Sequence, residues 1–513
     1  HNMETLQRTA NRGSISTGFD IDNSLKLEED NTEYLHYTPS SQTDYERLTF
    51  SLWIKRTEIG ATSKLAEFGN GTANTTNLRI GFDDSDRLYI YGNSIVWRES
   101  TQVFRDTSAW YHLFFKFDTT QGTSNDKIRV WVNGNMIAHT DYNTVNNPSS
   151  GSAMGFNTTL PQSIGTQQEG GVNASTNFNG YIAQVWYSGG TPPNVTDFGE
   201  VDSDSGIWKP IDISGVSIPD ASGFFLDFSD SSDLGNDSSS NNNDFTLVNI
   251  TAADQATDTP TNNFCIVNNN TRQGNQYGAY NANQQATNGG TVIVEPTGSF
   301  GQISATFGVG SGKWYWEMKP VGMVGFSTAG QIYGITSPVN LGGSESRSEI
   351  RPGATTAVDT SAQYAIYPMY TDQSRSYRGD SDSSANWTSS DEGAANNVIW
   401  RIALDLDNGK IWYGRNNVWL PDKSTDTASN PSTGSNARDT DLLGATRLVG
   451  GFYLPSFGMY NENSGHTMQT NFGGYSIISN SKSYSDGNGY GAFVYEVPTG
   501  FYSICSKNLA EYG

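Results

Sequence analysis

The stretch Trp110-Tyr-His-Leu-Phe-Phe-Lys-Phe-Asp118, with Ile128-Arg-Val-Trp-Val-Asn-Gly-Asn-Met-Ile-Ala138 after it, decides the fold class. Tyr111, Leu113, Phe115 and Phe117 recur with a period of two, and Ile128, Val130 and Val132 repeat the pattern on the returning run. That period sends alternate side chains to opposite faces of a strand, so each run carries one apolar face. Asn133-Gly134 supplies the two positive φ angles of a tight type I′ turn into Met136-Ile-Ala138. The pattern predicts an antiparallel hairpin with one face in a core.

The same signals extend in both directions. Phe50-Ser-Leu-Trp-Ile54 and Leu78-Arg-Ile-Gly-Phe82 read as strands, as does Arg87-Leu-Tyr-Ile-Tyr91 after an Asp83-Asp-Ser-Asp86 turn. Phe178-Asn-Gly-Tyr-Ile-Ala-Gln-Val-Trp186 is a further strand. In the second half, Lys313-Trp-Tyr-Trp-Glu-Met318 places Trp314, Trp316 and Met318 on one face. Ile399 to Asp405 and Lys410 to Tyr413 flank the hairpin turn Asp407-Asn-Gly409, and Arg415-Asn-Asn417 turns into Val418-Trp-Leu420. No 3.6-residue periodicity persists beyond about two turns. The expected fold is all-β, with two antiparallel, jelly-roll-like β-sandwich domains in tandem.

Composition agrees. A chain of 513 residues is too long for one ordinary core. Only 16% of residues are charged but 12% are aromatic, and Gly alone accounts for 55, so strand-forming rings alternate with turn-forming polar residues. The expected divisions are an N-terminal arm over 1–13, a first domain with its connector over 14–257, a junction over 258–289, and a second domain with a tail over 290–513. The junction rests on Asp258-Thr-Pro-Thr-Asn-Asn-Phe264, which is polar and Pro-bearing.

The net charge of −23 sets 30 Lys and Arg against 53 Asp and Glu, a balance that repels phosphate backbones and argues against nucleic acid as a partner. No run approaches the ~18 apolar residues of a membrane span, so no membrane insertion is expected. The chain opens His1-Asn-Met-Glu4 without a secretory apolar region, and reads as one that has lost residues ahead of His1. Cys265 and Cys505 flank the second half, and either a bridge or two separate buried thiols fits that placement.

Phe50-Ser-Leu-Trp-Ile-Lys55, Trp110-Tyr-His-Leu113, Val130-Trp-Val-Asn-Gly134, Ile164-Gly165 and Phe178 to Val185 resemble, in order and spacing, the concanavalin A-like lectin/laminin-G superfamily over about 14–230. Gly312-Lys-Trp-Tyr-Trp-Glu317, Ala403 to Trp412 and Leu454-Pro-Ser-Phe-Gly458 look like a SPRY domain over about 290–475. Asp197-Phe-Gly-Glu200, Gly206-Ile-Trp-Lys-Pro210, Gly223 to Ser229, Asp258 to Asn262, Phe493 to Phe501 and Lys507-Asn-Leu509 are similar to phrases of lectin-like virion proteins of tailed bacteriophages, especially marine ones. The resemblance implies a fibre, appendage or capsid-surface decoration that engages host-surface glycans, assembled in a bacterial cytoplasm and displayed on the virion. Its implied partners are other virion proteins, host polysaccharide and copies of itself, a homotrimer being the expected assembly. A purely architectural virion protein and a glucanase-like enzyme are the alternatives.

A catalytic reading lacks its motif. Glucanases on this fold carry Glu-x-Asp-x-x-Glu along one strand, and the pattern is absent here; Asp405 and Asp407 border a hairpin turn instead. The five histidines are scattered, and His112 lies opposite the Phe115 and Phe117 face, where a structural role is expected. The chain is therefore expected not to be an enzyme and to need no cofactor. Asp83, Asp84 and Asp86 form a candidate calcium cluster, to be weighed against an ordinary Asp-rich hairpin loop. Tyr377, Asp380 and Trp387 lie in an otherwise Ser-, Asp- and Gly-rich stretch, where rings supply area for a sugar face and carboxylates orient hydroxyls. The competing readings are that Trp387 pins its own loop or enters a subunit interface.

Overall fold

A computed structural model describes residues 18–69, 77–167, 176–203, 205–271, 273–274, 285–294, 300–322, 331–338, 363–368, 374–378, 398–420, 427–444, 448, 450–460 and 467–513. Strands hold 41% of the chain and helices 7%, which makes it an all-β protein. The chain divides into two compact units, with the boundary between Asn263 and Phe264. Among the described residues no helix is long and apolar enough to cross a membrane. The arm expected over 1–13 lies outside the described residues.

The N-terminal unit is a sandwich of two eight-stranded antiparallel sheets. Sheet I runs β10 (Asn135–Met136), β9 (Ile128–Val132), β8 (Trp110–Asp118), β3 (Arg47–Arg56), β13 (Gly180–Gly189), β1 (Ser24–Leu27) and β18 (Gln255–Ala256), with β16 (Phe224–Leu226) also paired to β13. Sheet II runs β11 (Tyr142–Val145), β7 (Ile95–Val103), β6 (Arg87–Gly92), β5 (Leu78–Phe82), β4 (Ser63–Phe68), β12 (Gln162–Ile164), β2 (Tyr34–Tyr37) and β17 (Thr246–Val248). The hairpin of β8 and β9 has the expected register: Leu113 faces Val132, Phe115 faces Val130 and Phe117 faces Ile128. Asn133 and Gly134 take positive φ at its tip. Leu48, Phe50, Leu52 and Ile54 of β3 meet Leu78, Ile80 and Phe82 of β5 in the shared core.

The other face of sheet I is buried as well. Part of the chain after β13 returns across it, so that Phe198 and Ile213, with Phe225 of β16, pack on Phe114 and Trp186. A ribbon of β14 (Gly199–Val201) and β15 (Trp208–Pro210) stacks Trp208 on His112, with ring centroids 5.9 Å apart. The polar run that opens at Asp258 forms part of this cover. Asp258 is fully buried, and its carboxylate accepts from Lys55 Nζ at 2.7 Å and from Trp110 Nε1 at 3.0 Å. Thr259 bridges back to Asn262. The polarity of 258–263 thus meets a buried ammonium, and these residues belong to the N-terminal sandwich.

The C-terminal unit is a second sandwich. Sheet III runs β19 (Gln273–Gly274), β22 (Phe300–Ser304), β30 (Leu454–Tyr460), β24 (Gln331–Thr336), β25 (Gln363–Pro368) and β26 (Ser374–Arg378). Sheet IV runs β20 (Gln285–Thr287), β21 (Val292–Val294), β31 (Thr467–Asn471), β23 (Lys313–Val321), β27 (Trp400–Asp405), β28 (Lys410–Arg415) and β29 (Val418–Trp419). A short strand, β32 (Tyr502–Ser503), pairs parallel to β23. Trp314, Trp316 and Met318 enter the core together with Ile303, Tyr333 and Phe457 of sheet III.

The outward face of sheet IV is closed by the chain's last residues: Phe493, Val497 and Phe501 pack on Tyr315, Ala403 and Trp412. Buried Glu317 anchors that cover by accepting the backbone N–H groups of Val494 at 3.0 Å and Tyr495 at 2.9 Å. Both cysteines are buried, Cys265 Sγ accepting from the Thr306 hydroxyl and Cys505 Sγ from that of Ser503, each at 3.7 Å.

Candidate functional site

The outward face of sheet II carries a different set of residues from its core face. Strand pairing sets Thr246, His36, Ser163, Glu67, Arg79 and Tyr91 in one row across adjacent strands, because directly opposed residues share a face. A second row runs Lys64, Gly81, Tyr89 and Glu99. The intervening Ile80, Phe82, Leu88 and Ile90 fill the core. A sheet face so composed brings together rings, cations, two carboxylates and hydroxyls.

The pairing of β4 with β5 shifts register between Lys64 and Ala66, and a Cβ at Gly81 would collide with Ser63 O. Only glycine fits there. The gap that it leaves lets Lys64 reach across β5, so that its Nζ stands 4.7 Å from the ring centroid of Tyr89. Beside it, Glu67 Oε1 accepts from Arg79 Nε at 2.8 Å and from Asn77 Nδ2 at 2.9 Å. The Arg79 guanidinium lies 5.4 Å from the ring centroid of Tyr91.

The electrostatics are uneven. Burial pulls the Lys64 ammonium down to about 8, and Arg79 lowers it more than Glu67 restores it. Burial also pushes the Tyr89 phenol upward. Tyr89 Oη and Ser163 Oγ are enclosed and have no hydrogen-bond partner among the described residues. Glu67 and Ser163 are wholly buried, so the face offers the half-buried rings of Tyr89 and Tyr91 for the apolar side of a sugar, with Lys64 and Arg79, each 7% exposed, beside them for polar or charged substituents.

The residues singled out from the sequence fall elsewhere. Asp86 turns inward and is shared by Arg56 Nη2 at 3.1 Å, Arg105 Nε at 2.8 Å and the Gly60 N–H at 2.7 Å. Asp83 accepts from the Ser85 and Arg87 backbone N–H groups and so closes its own turn, while Asp84 is exposed and accepts from the Ser85 hydroxyl at 3.4 Å. Among the described residues no three His, Cys, Asp or Glu side chains are grouped to hold a metal ion. Tyr377 lies on β26 opposite Ala365, and Asp380 and Trp387 are outside the described residues. Lys64 and Ser163 were not among the sequence candidates. For Arg79, Tyr89 and Tyr91 the signal was present, as the polar half of two alternating strands.

Residues 29–191 match the family model described as the concanavalin A-like lectin/glucanases superfamily. No curated protein matches the chain. Among similar solved structures, the SPRY domain of human HERC1 is 14% identical, with 40% of this chain and 96% of that one covered at a TM-score of 0.26. A heptameric SAP-like pentraxin from Limulus polyphemus is 15% identical, with 34% of this chain and 80% of that one covered at a TM-score of 0.26. The CBM40 module of the Ruminococcus gnavus IT-sialidase, bound to alpha2,3 sialyllactose, is 17% identical, with 31% of this chain and 85% of that one covered at a TM-score of 0.23.

Proposed function

We propose that the chain is a non-catalytic glycan-binding protein of a bacteriophage surface, and that the outward face of sheet II is its sugar-binding surface. The observation that carries the glycan reading is the grouping of Tyr89, Tyr91, Lys64 and Arg79 on one sheet face, built on the domain that matches a lectin/glucanase family model. The absence of catalysis is supported by carboxylate placement. The glutamates on this face, Glu67 of β4 and Glu99 of β7, are three strand steps apart, roughly 14 Å at the usual inter-strand spacing. Glycosidic hydrolysis needs about 5–5.5 Å for a retaining pair, or about 6.5–9.5 Å for an inverting one. Sugar binding here draws on no bound ion.

The virion part of the proposal rests on the likeness of 197–200, 206–210, 223–229, 258–262, 493–501 and 507–509 to phage phrases; of these, Phe198 packs on the outward face of sheet I, and Phe493, Val497 and Phe501 on that of sheet IV. Other virion proteins and copies of this chain, in a homotrimer, are the proposed assembly partners. Many copies on one particle raise avidity without new contacts, so a modest single site suffices. The test has two arms. Mass spectrometry of purified particles should find the chain as a stoichiometric component. The purified protein should be retained by polysaccharide from the host's surface and should release no reducing ends from it. Absence from particles removes the virion assignment, and release of reducing ends removes the non-catalytic one. Presence on particles without retention by any surface polysaccharide leaves the architectural alternative.

A further inference from the structure

Lys64 is the unbalanced charge of the sheet II face. It is 7% exposed, and among the described residues its ammonium has neither a hydrogen bond nor an ion pair; its contact is the ring of Tyr89. Glu67, the carboxylate whose charge acts on it, is held by Arg79 and Asn77. Enclosing an ammonium without an anion is unfavourable, and the fold tolerates it here beside a second cation. The net charge of −23 gives the chain no general affinity for polyanions, so attraction of one to this face has to be local.

We propose that Lys64 is the anion-recognising residue of the face and that the glycan it takes is acidic, bearing carboxylate or sulfate groups. The inference rests on the glycan-binding reading and narrows its ligand class. A lysine ammonium is a compact point charge with three rotatable donors, and it accepts either anion without the planar geometry that arginine favours. A neutral sugar would leave the ammonium as unpaired as before.

The test uses the full chain and three oligosaccharide probes in titration calorimetry: alginate for carboxylate, κ-carrageenan for sulfate, and laminarin as the neutral control. At least one acidic probe should bind about tenfold or more tighter than laminarin. Lys64→Met should abolish that preference and Lys64→Arg should preserve most of it. The Met variant removes an unpaired charge, so its melting temperature should stay within a few degrees of the parent. If it fails to fold, the parent decides: the nitrogen-15 titration midpoint of Lys64, near 8 beside Arg79, Glu67, Tyr89 and Glu99, should rise when an acidic probe saturates the site. A midpoint unmoved by a bound acidic probe overturns the inference. Laminarin binding as tight as either acidic probe and indifferent to Lys64→Met overturns it while leaving the glycan-binding reading intact. Binding to none of the three overturns both.

Discussion

The indole N–H of Trp208 donates to Nδ1 of His112 at 3.0 Å, and this bond fixes the tautomer of the histidine. With Nδ1 accepting, a neutral imidazole carries its proton on Nε2, which then donates to Ser51 Oγ at 2.9 Å. The pair has the composition of a nucleophile and its base, but the direction of the bond is reversed. His112 cannot take the Ser51 proton. The ring lies 4.9 Å from Trp53 and 5.9 Å from Trp208, and burial pulls its pKa down to about 3.

That depression has a sign. Below its ordinary value of 6.5, His112 binds a proton in the unfolded chain but not in the folded one until about pH 3. Stability is fully present above pH 6.5 and is lost on acidification, by on the order of 4 kcal/mol at the low end. Denaturant melts of the parent and of His112→Gln between pH 7 and pH 4 should show a shallower acid slope in the variant. Equal slopes would mean that His112 titrates normally in the fold.

Asp258 provides the negative charge for Lys55 inside the cover of sheet I, both side chains being shut off from solvent. Removing one partner of a buried pair typically costs about 3–5 kcal/mol. Asp258→Ala should therefore lower the thermal transition of the N-terminal unit and leave that of the C-terminal unit in place. An unchanged calorimetric trace would show that 258–263 is an ordinary linker.

Trp314 and Trp316 are both fully buried on β23, but only Trp314 donates its indole N–H, to Ser311 O at 2.6 Å. Trp316 Nε1 is enclosed and has no partner among the described residues. Truncation of either residue to Ala should cost about 3–5 kcal/mol. Replacement by Phe should separate them, Trp314→Phe being the worse by about 1 kcal/mol because it also breaks a hydrogen bond. The reverse order in urea melts would refute the assignment of the two indoles.

The strands were legible because their core faces alternate: Phe50-Ser-Leu-Trp-Ile54 and Trp110 to Asp118 declare one apolar side each. The second buried side of sheet I was not legible. Ser51, Trp53 and Lys55 look solvent-facing in sequence, and what covers them is supplied by Trp208 and Asp258, some 150 residues or more away along the chain. For the same reason Asp258 reads as a polar linker until its ammonium partner is seen. The candidate site was half visible. Arg79, Tyr89 and Tyr91 stood in quoted strands, but a search for rings in polar loops passes over rings on the polar face of a sheet. Lys64 depended on a register shift and on the gap at Gly81, and neither leaves a periodic trace.

The central claim is that glycan binds on the outward face of sheet II, and the most direct measurement is the affinity of Tyr91→Ala for a polysaccharide that the parent retains. Tyr91 is half-buried on that face and lies outside the shared core, so the variant should fold with a melting temperature close to the parent's. Loss of the ring and of its contact with Arg79 should weaken binding about tenfold or more, roughly 1.4 kcal/mol. Trp387→Ala, measured alongside, should bind as the parent does. A folded Tyr91→Ala of unchanged affinity, with binding lost instead in Trp387→Ala, would contradict the account and move the site to the C-terminal unit.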